Sequence, residues 1–170
     1  PIAYWVTKRF RKAFAEGTPL GEIATAKPGL CTGHDERFIR EWAEVSFDSI
    51  GLNCHSRQVS KESKKTWFPF NKGGPFRRWF GNQNLVVNWR GDGEELSEFS
   101  KADGKGTRIQ NTTFYFRPGI TWNQTGSAIP SFRLVPRGFI FAHIGAMAFA
   151  VSESDVGFLT CLLNSCVSRK

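Results

Sequence analysis

Acid is nearly missing from one stretch of this 170-residue sequence. Between Ser56 and Arg90 stand eight cations, Arg57, Lys61, Lys64, Lys65, Lys72, Arg77, Arg78 and Arg90, against one acid, Glu62. That segment carries +7, while the remaining fifteen cations and fourteen acids contribute only +1 to the total of +8. Charge that served solubility alone would be spread along the chain. Charge gathered in one segment points to a polyanion, most often nucleic acid.

Long apolar runs are absent too. None reaches eighteen residues, so no helix spans a bilayer. The opening PIAYWVTKRFRKAF has cations where a secretory leader needs an apolar core, and it begins on proline rather than methionine. The expectation is a cytoplasmic piece of a longer polypeptide. Cysteine is sparse, and Cys31, Cys54, Cys161 and Cys166 form no dense framework, which predicts reduced thiols. Cys31, His34, Cys54 and His55 lack the paired C-x-x-C clamps of a structural zinc site, so no metal is expected.

Catalytic patterns are missing as well. The sequence contains no G-x-S-x-G, no H-E-x-x-H, no Walker loop and no G-x-G-x-x-G after a strand. The acid pairs Asp35-Glu36 and Glu94-Glu95 lack the downstream E-x-K of Mg²⁺ nucleases and read as solvated acids. No catalytic residue is assigned, and no cofactor is expected in this chain.

What is present suffices for one packed domain over residues 1–170. A chain of this length can bury roughly 70% of its unfolded surface, and sixteen Phe with six Trp supply a core. Trp5 to Ala15 reads as an amphipathic helix closed by Gly17 and Thr18-Pro19. LGEIATAKPGL alternates as a strand, CTGHDERF reads as a polar loop, and FIREWAEVSF suits another strand. Residues 55 to 66 read as an exposed loop or short surface helix. TWFPF predicts a strand that Pro69 puts at a sheet edge. NLVVNW is a clean strand, and DGEELSEF a short helix led by Asp92. TFYF, GITWN, SFRLV, GFIFAH and AMAFAV read as short strands. SESDVGFLTCLLNSC predicts a final helix capped from Ser152, with Val156, Leu159, Leu162, Leu163 and Cys166 on one face. Strands outnumber helices without βαβ alternation, and nothing repeats. The reading is α+β: a mixed twisted sheet of short strands with long loops and helices at both ends.

One passage, WFPFNKGGPFRRWFGN from Trp67 to Asn82, combines six aromatics, three cations and three glycines with no acid. Lys and Arg neutralise phosphates, and Arg also reads guanine through two hydrogen bonds. Lys72, Arg77 and Arg78 are therefore the leading candidates for contacts, a merely solvated face being the alternative. Trp67, Phe70 and Trp79 are read as platforms that fix the loop, with base stacking or ordinary core packing as alternatives. Gly73-Gly74 would let backbone approach a ligand without a Cβ in the way. Thr32, His34 and Arg37 in PGLCTGHDERF form a second cluster. Arg117, Thr121 and Trp122 in FYFRPGITWN form a third.

In their order, AYWVTKRFRKAF, PGLCTGHDERFIREW, WFPFNKGGPFRRWFGN, GITW and RLVPRGFIFAHIGAMAF resemble the C-terminal target-recognition region of large adenine-specific DNA methyltransferases. These are the PglX-type enzymes of BREX phage-defence systems and the related type IIG restriction-modification enzymes. The resemblance covers nearly the whole chain, with Pro75 and Phe80 standing where an acid and a Tyr are expected. The N-P-P-Y motif and the S-adenosylmethionine loop do not occur here. The resemblance therefore implies that an upstream domain methylates N6 of a flipped adenine using S-adenosylmethionine. This piece would contact that domain, grip double-stranded DNA and select its sequence. An RNA or single-strand binder, and a basic protein-interaction domain of a defence complex, are the other readings.

Overall fold

The computed structural model describes residues 6–103, 106–123 and 130–166. In chain order the elements are α1 (Lys8–Glu16), α2 (Leu20–Ile23), β1 (Ala24–Lys27), β2 (Cys31–Thr32), α3 (Asp35–Phe38) and β3 (Ile39–Glu41). Then come α4 (Arg57–Glu62), β4 (Trp67–Asn71), β5 (Leu85–Asn88), α5 (Arg90–Asp103), β6 (Thr107–Arg108) and β7 (Gly119–Trp122). The chain continues through β8 (Phe132–Val135), β9 (Ile140–Phe141), β10 (Met147–Ala150) and α6 (Asp155–Asn164). The fold is α+β, with helices near both ends. Its strands divide into two four-stranded sheets, ordered β1-β10-β7-β8 and β3-β5-β4-β9, and a β2-β6 ribbon. Within the two large sheets only the β4–β9 pair is parallel.

The period of two along the strands sets where the core sits. Phe68 and Phe70 of β4, Val87 of β5, and Met147 and Phe149 of β10 meet between the two large sheets. Trp89, Leu96, Tyr115, Phe116 and Phe141 complete that cluster. A smaller cluster forms where Ala24, Ile120 and Ala150 meet Val156 and Leu159 of α6. Aromatic rings tile the main core edge to face, as for Trp89 and Tyr115, whose centroids are 5.2 Å apart.

Several local expectations are corrected. LGEI closes one helical turn before β1 begins, and CTGHDERF holds both a two-residue strand and a helical turn. FIREWAEVSF is a strand only over Ile39–Glu41. Glu41 and Glu44 then form a reciprocal capping box, and the chain turns through Trp42–Glu44. TFYF is not a strand, because Asn111 and Phe116 take left-handed φ values of 52° and 67° that prevent extension. The polar stretch at 55–66 does form a helix, capped by Ser56, which accepts from the Val59 amide.

Pro69 lies in an interior strand, because β4 is flanked by β5 and β9. The carbonyls of Trp67 and Asn71 accept from Gly51 and Ala142, while Thr66 accepts from Trp89 on the β5 side. By alternation the Pro69 nitrogen faces the Gly51–Ala142 side, where the parallel ladder begins only at Phe70. No donor toward β5 is lost, so the proline is accommodated.

The terminal helices differ from expectation in which side they bury. Thr7 caps α1 by accepting from the Phe10 amide, and Gly17 ends it, yet α1 has no buried residue. Phe10 and Phe14 pack on each other in the open; Trp5 lies outside the described residues. The buried face of α6 is Val156, Leu159, Thr160 and Asn164, with Leu162 and Cys166 exposed. Asn164 faces inward because Phe132 gives it partners: its Nδ2 donates to the Phe132 carbonyl at 2.8 Å, and its Oδ1 accepts from the Phe132 amide at 3.1 Å. Ser154 rather than Ser152 precedes the helix, without a side-chain cap.

Candidate nucleic-acid interface

The chain leaves β4 at Asn71 and reaches β5 at Leu85 through a loop that carries the three leading contact candidates, Lys72, Arg77 and Arg78. Left-handed φ values of 94° and 123° at Gly73 and Gly74 turn the loop outward. That conformation, rather than room for a ligand, is what requires glycine there. Asn82 Nδ2 donates to the Pro75 carbonyl at 2.9 Å and ties the two limbs together. Trp79, itself at φ 72°, then adds to the open edge of β8: its amide donates to Phe132, and its carbonyl accepts from Leu134. The loop is thus pinned across the edge of the second sheet.

Its base is a buried polar network. Asn71 Nδ2 donates to Thr121 Oγ1 at 3.0 Å and to the Gly145 carbonyl at 2.9 Å, and Thr121 Oγ1 donates to the Ala146 carbonyl at 3.0 Å. Gly145 lies so close that a Cβ there would fall 2.5 Å from the Asn71 carbonyl oxygen. Thr121, expected as a ligand contact, is fully buried, and its hydroxyl is engaged internally. The same holds for Thr32, whose hydroxyl donates to Asp35 at 2.6 Å and whose carbonyl accepts from Thr107.

The cations differ in how free they are. Arg77 is exposed. Arg78 is half-buried with its guanidinium 5.4 Å from the Phe76 ring centroid, and its Nε has no partner among the described residues. Lys72 is ion-paired with Asp35. Desolvation is the largest single influence on the Asp35 carboxyl and pushes its pKa up. The hydrogen bonds from Lys72 and Thr32, with the charges of Lys72 and His34, together outweigh it and hold the pKa below the ordinary value. Asp35 thus stays ionised beside the lysine.

Lys72 and Asp35 stand on the rim of a cleft of about 280 Å³. Leu30, Ile39, Phe70 and Ala142 lie at its apolar side, while Gly33, His143 and Ile144 join the rim. Lys72 of the first sequence cluster and Thr32 of the second therefore meet here, while Arg77, Arg78, His34 and Arg37 do not line the cleft. His34 is exposed and lies edge-on to Phe99 at 6.2 Å. Arg37 donates to Glu95 at 2.9 Å and spans the Phe38 and Phe99 rings. The third cluster does not join the cleft. Arg117 covers the Phe114 and Phe149 rings, where Lys27 also sits, and Trp122 is half-buried in β7 beside Phe132. Of the platforms, Phe70 is core, Trp67 is half-buried with Arg40 over its ring, and Trp79 is half exposed.

Sequence reasoning missed Arg133. It lies in β8 and is fully buried. Its Nη1 donates to Asn123 Oδ1 at 2.6 Å and to the Arg77 carbonyl at 3.3 Å, so it forms the floor under the basic loop. Nε and Nη2 have no partner among the described residues, and burial pushes its pKa down. The signal was in FRLV: Phe132 and Leu134 face α6 while Val135 faces the main core, so both faces of this strand are covered.

Among the described residues no three His, Cys, Asp or Glu side chains gather as a metal site, and no helix is long and apolar enough to cross a membrane. Cys54 is buried, and that burial pushes its thiol pKa up.

No protein-family model matches the chain. It is 38% identical over 170 residues to the adenine-specific methyltransferase PglX of Lacticaseibacillus casei (strain Zhang), a match over 97% of this chain. It is 34% identical over 171 residues to the adenine-specific methyltransferase BrxX of Escherichia coli O9:H4 (strain HS), over 100% of this chain. The chain spans only 14% and 13% of those relatives' lengths.

Proposed function

Taking the chain as one segment of a PglX-type adenine-specific methyltransferase, we propose that it holds double-stranded DNA and selects the target sequence for the rest of the polypeptide. The parent methylates adenine N6 in the cytoplasm, as part of a phage-defence or restriction-modification system. S-adenosylmethionine and the catalytic groups belong to the remainder of that polypeptide, and this segment supplies grip and reading.

The observation that carries this reading is the pinned basic loop beside the cleft. Arg77 and Arg78 offer guanidinium groups to backbone phosphates, in fixed register because Trp79 is held on β8. Lys72 and Asp35, side by side at the rim, form a donor next to an acceptor. Lysine suits guanine O6 and N7, and a carboxylate suits the cytosine amino group. Thr32 and Thr121 hold the frame. His34, Arg37, Arg117 and Trp122 are outlying contacts, engaged in part by the protein's own rings and acids.

The test is salt-dependent binding of duplex DNA. With about four cations on phosphates, log K falls against log salt with a slope of about −3.6. Arg77→Ala with Arg78→Ala lowers that slope in magnitude by roughly 1.8. A flat salt dependence refutes the reading. One observation favours a second reading, single-strand or RNA binding: Phe76, Trp79 and Phe80 on the same loop are each half exposed and could stack on bases. Competition between duplex and single-stranded oligonucleotides separates the two.

A further inference from the structure

We propose that the face formed by the outer side of the β3-β5-β4-β9 sheet and the turns laid on it is the docking surface for another part of the same methyltransferase polypeptide. This inference does not depend on DNA reading.

Across β4 and β5, Phe68 pairs with Val87 and points into the main core, so the next pair, Pro69 with Val86, points the other way. Over that outer pair runs the segment from Trp42 to Leu52. A groove of about 450 Å³ opens between them, and a second of about 390 Å³ shares Phe47, Ile50 and Leu52 with it. The ridge between the grooves exposes large apolar side chains: Trp42 at 53%, Phe47 at 65% and Leu52 at 46%. Single exposed apolar residues are ordinary, but three on one ridge between two apolar grooves mark an interaction surface.

The ridge is held outward by its own backbone. The capping box of Glu41 and Glu44 fixes the first turn. The Ser49 hydroxyl and amide both donate to the Ser46 carbonyl and fix the second. Thr66 donates to Ser49, and Gly51 donates to Trp67, which ties the ridge to β4. These side chains do not collapse inward, so their ordering is already in place when a partner arrives.

Charge narrows the occupant. From Glu41 to Leu52 the chain carries three acids, Glu41, Glu44 and Asp48, and no cation; of the cations that line the grooves, Arg137 is paired with Glu153, and Lys65 donates to the Asp48 carbonyl. That composition repels nucleic acid. It also opposes the face meeting itself across a two-fold axis, which would set acids against acids. The partner it fits is an apolar segment flanked by lysine or arginine. The relatives matched over the whole of this chain are about seven times its length. The rest of the parent polypeptide is therefore tethered beside this face at high effective concentration.

Trp42 and Trp79 are exposed to the same degree, 53% and 51%, and serve as internal references for each other. In hydroxyl-radical footprinting of the complete, DNA-free methyltransferase, Trp42 oxidises at least about fivefold more slowly than Trp79. Phe47→Ser with Leu52→Ser, both on the exposed ridge, brings the two rates together by loosening the docked segment. Equal rates in the unmodified protein overturn the proposal. Protection of Trp42 that vanishes on dilution from oligomer to monomer also overturns it, in favour of a second copy.

Discussion

Arg133 makes an unusual prediction: removing a buried arginine leaves the protein as stable or more so, and makes it a poorer DNA binder. The group is fully buried with no carboxylate partner among the described residues. Keeping an unpaired cation out of water costs several kcal/mol even after relaxation. Against this, Nη1 makes one short hydrogen bond, to Asn123 at 2.6 Å, and longer ones to the Arg77 carbonyl at 3.3 Å and Ser131 Oγ at 3.5 Å. Bonds from charged donors contribute about 1.5–3 kcal/mol each, toward the low end at 3.3 Å. The two sides nearly cancel. Arg133→Met, which keeps most of the volume, therefore changes stability by no more than about 1 kcal/mol, with the gain side favoured.

Arg133→Lys keeps the charge but loses the planar fork that reaches two acceptors at once, and it destabilises by about 2 kcal/mol. The expected order of stability is thus Met at or above Arg, with Lys below both. Urea denaturation followed by tryptophan fluorescence measures it. Duplex binding should fall for both variants, because the Arg77 carbonyl is no longer held and the exposed guanidinium groups lose their register. A loss above about 3 kcal/mol for Arg133→Met refutes the reasoning, since that result means the guanidinium has a counter-charge.

Three further outcomes follow from single contacts. Gly145→Ala forces a Cβ against the Asn71 carbonyl and the Lys72–Gly73 backbone, where the nearest atoms are 2.5, 2.8 and 2.9 Å away. It should cost about 1–3 kcal/mol in a denaturation curve and weaken duplex binding as well; a neutral result on both refutes the close packing. Asp35 has a depressed folded pKa, so its stabilising ties to Lys72 and Thr32 are fully present above the ordinary carboxylate pKa and are lost as pH falls through the lower folded value. Amide shifts of Thr32 and Gly33 should titrate with a midpoint below the ordinary value and lose that transition in Asp35→Asn, whereas a midpoint at or above it contradicts the geometry. Leu159→Ala, in the small cluster under α6, should cost about 2–5 kcal/mol by calorimetry or denaturant, against under about 0.5 for the exposed Cys161→Ser.

What the sequence made legible follows from which forces act locally. GITW, FRLV, NLVV and MAFA were readable as strands, because β-branched and aromatic runs bounded by Gly and Pro need only local chemistry to be recognised. The alternation in FIREWAEVSF was overruled after three residues by the Glu41–Glu44 capping box, a feature of side chains and not of periodicity. Pro69 was assigned to an edge because its partner ladder depends on β9, seventy residues later in the chain. The site divides the same way. Charge imbalance marked Lys72, Arg77 and Arg78 without any knowledge of the fold. Whether a threonine can be a contact or a strut depends on tertiary neighbours, and both Thr32 and Thr121 are buried with their hydroxyls bonded internally.

Arg133 and the Trp42 ridge failed to register for one shared reason: residue type predicts location only on average. On that average a charged side chain faces out and a tryptophan faces in. The backbone reverses both. In β8, covered on each face, no outward position exists for residue 133, and the loop carbonyl above it supplies a reason to keep the fork. In the turns from Trp42 onward, caps and bonds to β4 complete the backbone's hydrogen bonding first and leave the rings outside. A positive floor beneath the basic loop and an apolar ridge on the acidic face are both unfavourable in an isolated domain. Under the two proposals above each is offset by a partner: the first by an anionic duplex on the loop, the second by polypeptide over the ridge.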